Sequence, residues 1–131
     1  MEKLRLAVNG TLMRGLELHP NLVEVGAVFL GEDTTAPCYR LWSIGDRHPA
    51  MMRVREGADY GGASIALEIY EITPDGLASV LLKEPAGLSV GKVILASGEE
   101  VLGVLGEPIC CETGIEITEY GGWRKYIASR H

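Results

Sequence analysis

Apolar and polar positions alternate from Leu4 to Val8, the period-two signature of a half-buried strand. A longer apolar run from Leu22 to Leu30 carries Val23, Val25, Ala27 and Phe29. It predicts a second strand, with Gly31-Glu32-Asp33 as the turn after it. Tyr39 to Ile44 predicts a third strand, closed by Gly45-Asp46, and Met51 to Arg55 a short fourth. Gly61-Gly62 then interrupts the chain, and Ala63 to Ile72 reads as a strong central strand. Val90 to Ala96 and Val101 to Leu105, joined by Ser97-Gly98-Glu99, predict a hairpin.

Helical spacing first appears after Thr73. Thr73 suits an N-cap, Pro74 the first helical position and Asp75 the first turn. Leu77, Val80, Leu81 and Glu84 follow at helical intervals, and Pro85 and Gly87 stop the element. Thr118 to Ser129 predicts a terminal helix, although Gly121-Gly122 inside it favours a start at Trp123. The expected fold is therefore α+β, a mixed and strongly curled, barrel-like sheet with one or two flanking helices. The 17 glycines suit the tight corners and bulges such a sheet needs.

The 131 residues fit one domain spanning 1–131, and an apolar share of 47% is enough for a core. A net charge of −6, with no basic stripe, argues against nucleic acid as a partner. No apolar run approaches the ~20 residues that cross a bilayer, and no signal core follows Met1. The expectation is a cytoplasmic protein with no membrane association. Cys110 and Cys111 are adjacent, Cys38 is distant, and His19, His48 and His131 are dispersed. Free thiols are expected, and neither a metal nor a cofactor is implied.

Candidate chemistry starts where the first strand meets a turn, in Asn9-Gly10-Thr11-Leu12-Met13-Arg14-Gly15. Glycine at both ends lets such a loop present backbone N–H groups to a small carboxylate or amide. It lacks the Gly-Lys-Ser/Thr ending of a phosphate loop. A plain strand-to-loop turn is the commoner reading of the local pattern. Glu84 closes an apolar helix, where a carboxyl among apolar neighbours gains a raised pKa and suits general acid/base work. A surface glutamate is the alternative, but at a helix C-terminus it opposes the macrodipole. Glu68 shares a strand face with Ala66 and Tyr70 and points into a pocket or out to water. His48, in the polar Asp46-Arg47-His48-Pro49-Ala50 loop, is a candidate proton carrier, as is His19. Arg124, in Gly121-Gly122-Trp123-Arg124, could meet an acidic group or a ligand, against the alternative of a surface arginine. Neither a serine elbow nor a motif around the cysteines supports nucleophilic catalysis.

Several of these segments together resemble a known family. Asn9 to Gly15, Thr35-Ala36-Pro37-Cys38-Tyr39-Arg40-Leu41, Gly61-Gly62-Ala63-Ser64-Ile65, Leu88-Ser89-Val90-Gly91-Lys92-Val93 and Thr118 to Arg124 carry the resemblance over nearly the whole chain. The chain resembles the gamma-glutamylcyclotransferase-like fold, and within it the allophanate hydrolase C-terminal domain. The resemblance implies a ligand pocket under the first strand-loop, with Asn9, Gly10, Thr11, Leu12 and Met13 binding substrate. It also implies a glutamate, here Glu84, as acid/base. Asn9 replaces the tyrosine of the cyclotransferase turn. Leu12 stands where the allophanate hydrolase branch often carries a histidine.

Three readings stay open. The first is a small cyclotransferase-like enzyme acting on a carboxylate or amide metabolite. The second is decarboxylation or hydrolysis of a urea-derived N-carboxylate beside a separate amidase partner. The third is a non-catalytic binding or assembly module. A homodimer is compatible with a strand-rich domain of this size, and nothing in the sequence demands it.

Overall fold

Leu6, Ala7 and Val8 are each at most 1% exposed. Alternation should have left one of them at the surface. All three are buried because β1 (Leu4–Val8) runs through the middle of a sheet with both faces covered. The computed structural model describes residues 2–130. After β1 come α1 (His19–Glu24), β2 (Val28–Thr34), β3 (Tyr39–Ile44), β4 (His48–Arg53), β5 (Ala66–Ile72) and α2 (Pro74–Leu82). The chain continues through β6 (Leu88–Ile94), β7 (Glu100–Gly106), α3 (Pro108–Thr113), β8 (Ile115–Glu116) and α4 (Trp123–Ser129). A five-stranded mixed sheet has the order β2-β5-β1-β7-β6, and a smaller sheet the order β4-β3-β8.

The expected α+β class and mixed sheet are present, but the barrel is not. Among the described residues, the outer strands β2 and β6 of the large sheet form no ladder with each other and are joined just beyond their ends by an isolated Thr35–Leu95 bridge. Ala36 N–H donates to Ile94 O there, at 2.9 Å, and Ala96 N–H to Thr34 O, also at 2.9 Å. Pro37 follows, with no N–H to extend the pairing, and the chain turns away into β3. The sheet is therefore pinched at one end and open along its length.

The run from Leu22 to Leu30 is also corrected. Its first half is helical: Pro20 occupies the first turn of α1, Leu22 is buried and Val23 is 62% exposed. Gly26, at φ +74°, ends that segment, and β2 begins at Val28. The expected turn at Gly31-Glu32-Asp33 is instead the middle of β2, with a bulge between Phe29 and Gly31. The bulge absorbs one residue and lets the strand stay paired with β5. The segment expected from Met51 to Arg55 pairs earlier, from His48, and the central strand starts at Ala66 rather than Ala63.

Other expectations hold closely. Thr73 Oγ1 accepts the Gly76 N–H at 3.0 Å, as an N-cap should, and Pro74 opens α2. That helix stops at Leu82, so Glu84 lies on the turn beyond it. The terminal helix begins at Trp123, because Gly121 sits at φ +73° and breaks the preceding turn from α4. Helix α3, which carries Cys110 and Cys111, was not expected.

Topology decides what lies at the end of β1. β1 is antiparallel to β5, with Val8 opposite Glu68, and parallel to β7, with Ala7 opposite Gly103. The C-terminal ends of β1 and β7 therefore lie side by side. β6 returns antiparallel to β7, with Leu88 opposite Gly106, so the chain leaving α2 through Glu84 reaches the same end. The start of β4 packs there too: a Cβ on Gly106 would fall 2.6 Å from the Ala50 Cβ.

Candidate functional site

The turn after β1 is built with its carbonyls occupied. Gly10 O accepts from Met13 N–H at 3.0 Å, Thr11 O from Leu18 N–H at 2.9 Å and Met13 O from Leu16 N–H at 3.1 Å. Leu12 O accepts from the His19 Nδ1–H at 3.0 Å, which sets that ring's tautomer, and Arg14 O accepts from Arg124 Nη2. By contrast, the N–H groups of Gly10, Thr11 and Leu12 donate to no other group among the described residues. A loop whose carbonyls are satisfied and whose N–H groups are free is chemically suited to an anion or a carbonyl oxygen. Met13 N–H, expected among these donors, is spent inside the turn.

Gly10 serves this turn for a reason different from the one expected. Its φ is not positive; a Cβ there would lie 2.5 Å from Pro49 Cδ. The glycine allows β4 to approach the loop. Gly15, at φ +77°, is the position that requires glycine conformationally. Asn9 is buried and donates its amide to Val104 O at 3.0 Å, tying the loop to β7.

Val8, Asn9, Gly10, Thr11, Leu12, His48, Pro49, Glu84, Leu88 and Val104 surround one cavity of about 20 Å³. That is room for about one water. Glu84 is half-buried in it, and burial pushes its carboxyl above the usual glutamate range. His48 donates its Nδ1–H to Pro49 O at 3.2 Å, which leaves Nε2 as the nitrogen free for a ligand.

Glu68 and Arg124 come together elsewhere. Glu68 is 2% exposed. Its Oε1 accepts from Arg14 N–H at 2.8 Å and from Tyr70 OH at 2.9 Å, and its Oε2 from Arg124 Nη2 at 2.9 Å. Arg14 Nε adds an ion pair at 3.5 Å, while the same guanidinium stacks 3.7 Å from the centre of the Phe29 ring. Burial pushes the Glu68 carboxyl up, but the bonds from Arg14 N–H, Arg124 and Tyr70 outweigh it and hold it below its ordinary value. Glu68 is thus an ionised acceptor and not a proton donor at neutral pH. Together with Met13, Leu67, Trp123 and Arg124 it lines a second cavity of about 210 Å³.

Arg14 and Tyr70 were not expected as partners of Glu68. Tyr70 was legible, two residues along the same strand face. Arg14 was not, because it lies 54 residues away along the chain and its shorter contact, at 2.8 Å, comes through the backbone N–H rather than the side chain. The thiols of Cys38 and Cys111 are raised, chiefly by burial, which disfavours the thiolate.

Residues 4–128 match the model of the allophanate hydrolase C-terminal domain. The chain belongs to that family. It is 32% identical to a urea amidolyase of Lachancea kluyveri over 133 residues, covering 96% of this chain and 7% of that protein. The chain thus spans a small fraction of the urea amidolyases it matches. A crystal structure of a uropathogenic E. coli-specific protein superposes with a TM-score of 0.92 at 53% identity, covering 100% of both chains. An AIG2-like protein of Mus musculus superposes with a TM-score of 0.61 at 20% identity, over 84% of this chain and 80% of that one. The last likeness is one of fold, and it places the allophanate hydrolase C-terminal domain within the gamma-glutamylcyclotransferase-like fold.

Proposed function

We propose that the free N–H groups of Gly10, Thr11 and Leu12 bind a small carboxylate or amide metabolite, and that Glu84 is the general acid/base. The observation that supports this is that the residues carrying those donors and the half-buried, pKa-raised Glu84 carboxyl line one cavity. The cavity as it stands admits about one water, so the loop and Glu84 must part to admit a urea-derived N-carboxylate, the compact substrate on which the family membership centres this reading. In the decarboxylation of such a compound, the bond between nitrogen and the carboxylate carbon breaks. Its electron pair returns to nitrogen, and carbon dioxide leaves. The protonated Glu84 carboxyl delivers a proton to that nitrogen and is then re-protonated from water. The loop N–H groups hold the carboxylate or the carbonyl of the urea portion in place. His48, with Nε2 unengaged, orients the other end.

This reading keeps the protein in the cytosol, beside an amidase activity that supplies the N-carboxylate. The test supplies allophanate and an amidase and follows release of ammonia and carbon dioxide. The chain should accelerate release, and Glu84→Gln should abolish the acceleration. Unchanged turnover in Glu84→Gln sinks the mechanism. The second reading, a binding or assembly module, draws support from the small share of the urea amidolyase that the chain spans. No acceleration by the wild-type chain would favour it.

A further inference from the structure

We infer that Glu68 is a positioning residue for the 10–12 loop: its buried carboxylate and Arg124 together grip both backbone groups of Arg14. The inference rests on the reading of that loop as the ligand site. Register brings the parts together. Val8 lies opposite Glu68, so the chain leaves β1 beside this carboxylate and returns to it six residues later at Arg14. Glu68 Oε1 takes the Arg14 N–H at 2.8 Å. Arg124 Nη2 donates both to Arg14 O and to Glu68 Oε2, closing a ring of hydrogen bonds around one peptide unit on each side of Arg14. Tyr70 OH, at 2.9 Å, fills the remaining direction on Oε1.

A wholly buried carboxylate paired with half-exposed arginines adds little stability over apolar packing, because its desolvation offsets the attraction. Its distinctive contribution is geometric. Arg14 is fixed at one end and Asn9 is held to Val104 at the other, so the intervening Gly10-Thr11-Leu12 segment is tethered on both sides. Such preorganisation is what a backbone anion site requires, since donors that must reorient on binding bind more weakly. Glu68 does not act on the ligand itself: its oxygens are engaged, and it lines the other cavity.

The test is residue-resolved amide hydrogen exchange on the full chain, with malonate as the probe of the loop. Glu68→Gln offers one carboxamide oxygen where two carboxylate oxygens served. Arg124→Ala removes the outer half of the grip at a half-exposed position. In both variants the Arg14 amide should exchange about tenfold faster, the order expected when a charge-assisted hydrogen bond is lost. Amides of β1 should keep wild-type rates, and malonate should bind several-fold more weakly. In the wild type the Arg14 amide proton should shift as acid protonates Glu68, and in Glu68→Gln that titration should vanish. Unchanged Arg14 exchange overturns the inference. So does equal acceleration throughout β1, or faster Arg14 exchange with unaltered malonate affinity. If Glu68→Gln fails to fold, Arg124→Ala decides by the same criteria. If the wild type does not bind malonate, the anion-site reading fails, while Arg14 exchange still decides whether Glu68 holds the loop.

Discussion

Replacing Gly10 by alanine tests the packing that shapes the loop. The new Cβ would fall 2.5 Å from Pro49 Cδ and 2.6 Å from Pro49 Cγ. Unstrained carbon contacts lie at about 3.5–4.0 Å, so loop and ring must separate by about 1 Å. Overpacking of this kind costs about 1–3 kcal/mol. Pro49 is buried and its ring is stiff, which puts the cost toward the upper part of that range. Pro49→Ala deletes both clashing atoms and leaves Pro49 N, at 3.9 Å, as the remaining neighbour. Gly10→Ala should then cost only a few tenths of a kcal/mol in the Pro49→Ala background, giving a coupling of about 1–3 kcal/mol. Urea unfolding of the four proteins measures this, provided the m-value is constant. Gly15→Ala is the control: open space surrounds it, but φ is +77°, so its cost of about 1–2 kcal/mol should be indifferent to Pro49. An equal cost of Gly10→Ala in both backgrounds would refute the steric argument.

Two further outcomes follow from burial. Glu84 has a folded-state pKa above its unfolded value, so its protonated form favours the fold and that contribution is lost as pH rises through the folded pKa. Glu84→Gln should therefore raise the melting temperature at pH 7, and the advantage should disappear in acid below the unfolded glutamate range; an advantage independent of pH would contradict the burial effect. Leu22→Ala should cost about 2–5 kcal/mol because Leu22 is 0% exposed, whereas Val23→Ala, at 62% exposure, should stay within about 0.5 kcal/mol. Chemical denaturation separates these, and similar losses at both positions would argue against the α1 helix.

Elements whose signals are local were legible in the residues. Thr73-Pro74 marks the start of α2 because cap and first turn are adjacent in sequence. Ser97-Gly98-Glu99 marks a hairpin because Gly98 reaches φ +90° at no steric cost. The run beginning at Leu22 misled because Val23, Val25 and Ala27 alternate like a strand, while Pro20 and Gly26 bound a helix. Within the candidate site, Glu84 stood out by its position at a helix end. Glu68 could be read equally well as facing water or a pocket, since a strand's alternation fixes only which residues share a face, not which face is covered.

Sequence by itself determined the α+β class, the capped helix, the glycine turn after the first strand and the family. Tertiary structure alone decided that β1 pairs parallel with β7. That pairing carries Glu84 and His48 to the loop at the end of β1, while the antiparallel β1–β5 register sets Glu68 beside Arg14. The reason is physical: capping, turn and alternation are interactions within a few residues. Strand order and the coverage of each face come from packing between segments far apart in the chain, 95 residues in the Asn9–Val104 bond and 54 in the Arg14–Glu68 bond.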